Sequence, residues 1–334
     1  MRYKPCSADF GERGRGVMVY VYESCFAKHI QDFIKQKRAL GYCYTDKEKT
    51  MNNFDVFCRE KFPNETNLTK ELCHAWVYDS KYKIGDRGRL SLVREFAKYL
   101  ISIGEIAYII PAELKIENPR RLPHIYTETE IASLWQAFDN LPPYKGSLRH
   151  LVAPAIFRLI YCCGLRPCEA RRLKVTDVDL NSGRIDIRES KGHKSRIIMM
   201  ADDVTAFMKE YDRQVAKHMP ARTTFFPSSD DKIYTRVWLN REFNRAIEKT
   251  KIIQFGVNIP RVYDFRHSFA THRLYQWMRA GEDMDAKLPY LSAYMGHVSI
   301  TSTYYYVHLV PGIFSEMSGA DYSALEKLIP GVTA

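Results

Sequence analysis

The chain has 334 residues, 46% hydrophobic and 27% charged, which is ordinary for a globular protein and long enough for two domains. Its formal charge of +11 points to an anionic partner, nucleic acid before a membrane surface, and the excess of base runs through both halves without a basic tail. The eight cysteines form no CxxC pair and no apolar signal core opens the chain, so neither a zinc ribbon nor a secreted disulfide framework is expected. The most apolar stretch, LVAPAIFRLIYCCGL, carries Arg158 and is too short to span a bilayer, which predicts a cytoplasmic protein.

Residues 1–20 contain GERGRG, which lacks both the Gly-Lys-Ser/Thr ending of a phosphate loop and a preceding strand; they read as a flexible arm. From Phe26 the apolar residues take helical spacing (Phe26, Ile30, Phe33, Ile34), stopping at Gly41. Thr45 and Glu48 have the spacing of a capping box for a second helix carrying Met51, Phe54 and Phe57, ended by Pro63. A short third helix holds Leu72 and Trp76. Asp86 is the expected cap of a fourth, striped by Leu90, Val93, Ala97 and Leu100 and closing near Gly104. Arg87, Arg89, Arg94 and Lys98 are expected on the surface of this four-helix unit, spanning 21–110, as a DNA-binding face.

Residues 111–125, rich in proline, read as an interdomain linker. Thr127 and Glu130 open the next helix as a capping box, with Ile131, Leu134, Trp135 and Phe138 on its apolar face. A long apolar helix from about Arg149 to Cys163 stops at Gly164. After Leu173 the pattern turns to alternation: VDL, the turn NSG, RIDIR, the turn SKGHK, then SRIIMM, which predicts three antiparallel strands. Helices return near Asp202, near Thr235 and over Val262–Trp277. The fold class is therefore mainly α with one small three-stranded antiparallel sheet.

Three stretches can carry chemistry. In GLRPCEARRL, Arg166 follows a buried helix and a glycine, and Glu169 three residues on can pair with it, fixing the guanidinium fork in a direction suited to a phosphate. In RVYDFRHSFATHRL, Arg266 borders an apolar stripe. In YMGHVSITSTYYYVHL, one unbroken helix would point His297 and Tyr306 oppositely, so Gly296 and the polar run after it predict a break, with Ser299 capping a new helix. On that helix Ile300, Thr303, Tyr304 and Val307 form the expected core stripe, and periodicity does not choose between Tyr305 and Tyr306. Asp177 and Asp179, two apart, read as flanking a strand and its turn, so no metal site is expected.

Taken in order, GLRPCEARRLKVTDVDL, ESKGHKSRIIM, DFRHSFATH and MGHVSITSTYYYVH, with RLSLVREFAKYLISIGEI before the linker, resemble the tyrosine recombinase (phage integrase) family. The resemblance implies a two-domain clamp on duplex DNA: a helical core-binding domain at 21–110 and a catalytic domain at 126–310. It matches Arg166 and Arg266 to the two catalytic arginines, Lys191 to the lysine of the β-hairpin turn with Lys194 as rival and DNA contact, His297 to the histidine and Tyr306 to the nucleophile. Glu169 matches the acidic companion of the first arginine. Tyr263 stands where the family usually has histidine. The implied activity is site-specific strand cutting and rejoining through a 3′-phosphotyrosyl intermediate, as integrase or transposase of a mobile element, without cofactor, metal or ATP. A type IB-like topoisomerase and a DNA-binding regulator without catalysis are the alternatives. The implied partners are double-stranded recombination sites and three further copies in a tetramer on DNA, at the nucleoid of a bacterial cell. The apolar tail at 311–334 is expected to dock on a neighbouring subunit, its own domain being the other choice.

Overall fold

The computed structural model describes residues 20–42, 44–79, 81, 86–114, 121–188, 195–250, 252 and 259–307. The chain divides into two compact units, Met1–Arg120 and Arg121–Ala334. The arm at 1–19 and the tail at 311–334 lie outside the described residues.

In the first unit α1 (Ala27–Ala39), α2 (Thr45–Lys61), α3 (Lys70–Tyr78) and α4 (Asp86–Ser102) follow the order read from the sequence. Their apolar stripes converge on Phe26, Phe33, Phe54, Trp76 and Phe96, all but fully buried. These rings meet in tilted and edge-to-face pairs with centroids 5.4–6.3 Å apart, the arrangement that the ring quadrupole favours. Buried Asp55 accepts hydrogen bonds from the backbone amides of Glu23 and Ser24 at 2.9 and 3.0 Å, tying the segment before α1 to α2.

Three expectations for this unit are corrected. Thr45 is the first residue of α2 and not its cap; Tyr44, in the left-handed region at φ 54°, takes the cap position, and Glu48 pairs with Arg38 instead. Arg89 is 1% exposed: its Nη1 donates to the carbonyls of Trp76 and Asp79 at 2.8 and 2.7 Å, and its guanidinium lies over the Trp76 ring. These carbonyls lie at the C-terminal end of α3, where intrahelical donors run out, and the Trp76 carbonyl takes a long bond of 3.5 Å from the Asp79 amide besides the arginine. Arg94 donates Nε to the Ile110 carbonyl at 2.9 Å and Nη2 to those of Pro111 and Leu114. It fastens the chain leaving α4. Arg87 and Lys98 are exposed, as expected; the Asp86 side chain lies outside the described residues.

The second unit opens with α5 (Glu128–Asp139), whose capping box is formed as predicted: Thr127 Oγ1 accepts from the Glu130 amide at 3.2 Å, and the Glu130 carboxylate accepts from the Thr127 amide at 2.8 Å. The helix α6 (Arg149–Cys162) is the buried spine, running through Pro154. It stops at Gly164, whose φ of +57° lies in the left-handed region that favours glycine. A Cβ there would also fall 2.4 Å from the Phe269 ring, so glycine allows the close approach of the next elements. After α7 (Pro167–Arg172) come strands β1 (Val178–Asp179), β2 (Arg184–Ile187) and β3 (Arg196–Met199), antiparallel in the order β1-β2-β3. Register pairs Ile185 with Ile198 and Ile187 with Arg196.

Helices α8 (Asp202–His218) and α9 (Arg236–Glu248) follow, the latter capped by Thr235. The last three are α10 (Asp264–Arg279), α11 (Met284–Met295) and α12 (Thr301–Val307). Phe138, Phe157, Phe243 and Phe265 form the aromatic centre of the unit's larger core. A smaller core joins α10, α11 and α12 through Leu274, Leu288, Leu291, Met295, Tyr306 and Val307. The mainly helical architecture with a three-stranded antiparallel sheet is as the alternation and helical spacing predict.

Candidate active site

Arg166 occupies the N-cap position of α7, with Pro167 fixing the first helical φ. Its Nη1 donates to Glu169 Oε1 at 2.6 Å while its own amide donates to Oε2 at 2.9 Å. The remaining Nη2 reaches across to the Gly296 carbonyl at 2.7 Å. Glu169 is buried, so this pair is not a solvated surface bridge but a fixed mount for the guanidinium.

Arg266 is fully buried on α10. Its Nη1 donates to the Gly164 carbonyl at 2.5 Å and its Nη2 to that of Met295 at 2.6 Å. Among the described residues its Nε has no hydrogen-bond partner and no carboxylate stands within ion-pair distance. Burial and the neighbouring charge of Arg166 lower its pKa. A buried guanidinium with no carboxylate beside it among the described residues is costly, and the cost falls when an anion joins it.

Gly296 closes α11 in the left-handed conformation, φ +66°, and lets the His297 amide turn back to the Ser292 carbonyl at 3.0 Å. That turn supplies the break expected between His297 and Tyr306. The His297 ring then lies parallel to the Tyr306 ring with centroids 5.9 Å apart, and its Nδ1 is 2.8 Å from Thr303 Oγ1. His297 is pushed down to about 4 by burial and by the charges of Arg266, Arg166 and Arg196, so it is neutral at pH 7. Tyr306 is 3% exposed. Burial pushes its phenol up to about 12 while the Arg266 charge pulls it down.

The expected core stripe of α12 is corrected here. Thr303, Tyr306 and Val307 are buried, Tyr304 and Tyr305 are half-buried, and Ile300 precedes the helix and is exposed. Packing against α10 and α11 sets the inward face, and it selects Tyr306 where periodicity had selected Tyr304.

The phage integrase family model matches residues 125–311, more than half of the chain. "Putative integrase/recombinase y4rB" of Sinorhizobium fredii is 30% identical over 308 residues, covering 88% of this chain and 96% of that protein. The chain belongs to the phage integrase family. It is a tyrosine-type site-specific recombinase, an enzyme that cuts and rejoins DNA. Tyrosine recombinase XerC of Mannheimia succiniciproducens is 29% identical over 225 residues, 66% of this chain and 69% of that one. The fold is that of XerH recombinase bound to its difH substrate, with a TM-score of 0.62 at 18% identity over 86% of this chain and 83% of that one.

In this recombinase Lys191 and Lys194, the two lysines read from the hairpin, lie outside the described residues. Tyr263 ends the loop before α10 and is 40% exposed; its ring packs edge-on against His267, 5.1 Å between centroids. Three residues at the site escaped sequence reasoning. His267 lies against both Tyr305 and Tyr306, at 6.2 and 5.4 Å between centroids, and burial pushes it down to about 4. Thr303 holds His297. Arg196 opens β3 and binds Glu169. Its signal was present: in SRIIMM the alternation places Arg196 on the same face as buried Ile198, with Ile197 and Met199 outward. A charge on an inward face needs a partner.

Proposed function

We propose that Tyr306 of this recombinase attacks the scissile phosphate, that Arg166 and Arg266 hold the phosphate's non-bridging oxygens, and that His297 donates a further hydrogen bond to it. The reading rests above all on Arg266: a buried guanidinium without a carboxylate partner among the described residues, next to a buried phenol and a neutral imidazole. Charge builds on the phosphate oxygens in the transition state, and preorganised donors in a water-poor site stabilise it strongly. The His297 tautomer that accepts from the Thr303 hydroxyl at Nδ1 carries its proton on Nε2, and in that tautomer it can donate to a phosphate oxygen.

The phenol gives its proton to solvent, the Tyr306 oxygen bonds to phosphorus, and the bond to the 5′ oxygen breaks. Lys191 supplies the proton that the leaving 5′ oxygen needs, help typically worth about 10²–10⁴-fold. Attack by a 5′ hydroxyl of another strand reverses these steps and rejoins the DNA. The free protein holds Tyr306 protonated at pH 7, so the proton departs only within the DNA complex. Tyr263, at the usual histidine position, contacts the phosphate. Four strand cuts join two duplexes, so the working assembly is a tetramer on DNA, and the role is integration or transposition of a mobile element, carried out in the cytoplasm.

Trapping on a nicked duplex that the protein selects from a random-sequence pool tests the assignment. A covalent protein–DNA adduct is expected that Tyr306→Phe abolishes and Tyr305→Phe leaves intact. An adduct that survives Tyr306→Phe refutes it.

A further inference from the structure

The last turn of α11 shows an unusual arrangement. Three successive carbonyls, those of Tyr294, Met295 and Gly296, each accept a hydrogen bond from a different arginine: Arg196 Nε at 2.8 Å, Arg266 Nη2 at 2.6 Å and Arg166 Nη2 at 2.7 Å. The carbonyls at a helix C-terminus lack partners in their own helix and carry its negative pole, so they suit cations. Two of these arginines belong to the proposed phosphate clamp. Arg196 has no part in the mechanism above.

Arg196 also grips the mount of Arg166. Its Nη1 and Nη2 donate to Glu169 Oε1 and Oε2 at 3.0 and 2.8 Å, a two-pronged pair whose side chains are only 10% and 4% exposed. The Glu169 carboxylate thus lies between two guanidiniums, and Arg196, like Arg166, binds both that carboxylate and the α11 carbonyl row, but does so from strand β3. The packing is tight on the other side as well: a Cβ added to Gly296 would stand 3.0–3.2 Å from the Arg196 side chain. Strand β3, helix α7 and the turn that delivers His297 are therefore pinned to one another by a single side chain.

We propose that Arg196 is a positioning residue for strand cleavage: it fixes Glu169 and the C-terminal turn of α11 so that Arg166 and His297 face the same phosphate. The proposal rests on the assignment of Arg166 and His297 to the phosphate site. A guanidinium is needed for this because its planar fork spans both carboxylate oxygens while Nε reaches the Tyr294 carbonyl; one ammonium cannot do both. Loosening the mount misplaces Arg166 by a fraction of its length, and such misplacement costs about 10²-fold in rate.

The test is single-turnover cleavage of the selected nicked duplex by the full chain, with DNA affinity and melting temperature measured for each variant. Arg196→Ala and Arg196→Lys are both expected to slow adduct formation about 10²-fold with DNA affinity unchanged. In an Arg166→Lys background, which keeps a charge and a rate to measure, Arg196→Lys is expected to cost far less, because the group it positions is already altered. Equal losses in the two backgrounds, or full rate restored by lysine at 196, overturn the proposal. If Arg196→Ala melts below the assay temperature, Arg196→Lys carries the comparison. Wild type giving no adduct dependent on Tyr306 overturns the active-site assignment and this proposal with it; a normal wild-type adduct with undiminished Arg196 variants overturns this proposal alone.

Discussion

At the scale of single residues, the site is governed by what burial does to charge. His297 and His267 are both pushed down to about 4, each first by burial; for His297 Arg266, Arg166 and Arg196 add to it, while for His267 Asp264 opposes and Arg261 and Arg266 add. An unfolded histidine takes up its proton near pH 6.5, whereas these two stay neutral in the fold until about 4. Between those values the unfolded chain binds more protons, so stability is full above the upper one and is lost as pH falls toward the lower. The urea midpoint is expected to drop between pH 7 and pH 4.5. A His267→Asn, His297→Asn double variant is expected to drop less over the same interval; an equal drop sinks the explanation. Of the site itself, the Arg166–Glu169 pair was legible because a spacing of three residues places two side chains on one helical face. The choice of Tyr306 was not legible from periodicity. A seven-residue helix takes its inward face from its neighbours, and the stripe was phased on Ile300, which lies before the first helical turn. Only the family spacing from His297 pointed to the residue that packing buries.

At the scale of elements, the helices of the first unit were read almost in full, because their stripes of phenylalanine and leucine are long and strongly periodic. What the pattern hides is a charged residue with an inward task. Arg89 and Arg94 look like solvent-facing bases in RLSLVREFAKYL, yet Arg89 donates to carbonyls at the end of α3 and Arg94 to carbonyls of the chain beyond α4. Arg89→Met keeps much of the volume and removes the arginine donor from two buried carbonyls, leaving that of Trp76 only the long bond from the Asp79 amide among the bonds described, so it is expected to cost about 1–3 kcal/mol in stability by chemical denaturation. A change below experimental error would show those carbonyls to be otherwise satisfied. The capping boxes teach the complementary lesson. Thr127 and Glu130 form theirs, whereas Thr45 and Glu48 have the same spacing and do not, because Arg38 at the end of α1 takes the Glu48 carboxylate. A local motif loses when a tertiary partner of opposite charge competes for it.

At the scale of the whole molecule, the charge of +11 governs how the recombinase meets DNA. Affinity is expected to fall linearly with salt on logarithmic axes, about 0.9 per phosphate neutralised. Arg87→Ala and Lys98→Ala, both on exposed positions of α4, are each expected to shallow that slope by about one without changing which sequence is preferred. Slopes identical to wild type would remove α4 from the binding face.

The row of α11 carbonyls has a consequence for how such a site comes to exist before DNA arrives. Three guanidiniums gathered in a buried space repel one another, and Glu169 offers a single negative charge among them. The exposed peptide ends of α11 serve as a resident counterion, spread over three oxygens in place of one ionised side chain. Backbone dipoles neither titrate nor swing away, and they cannot form an ion pair that competes outright with an incoming phosphate. The cationic cluster is therefore assembled by folding, and a phosphate bound as proposed would meet it already in place.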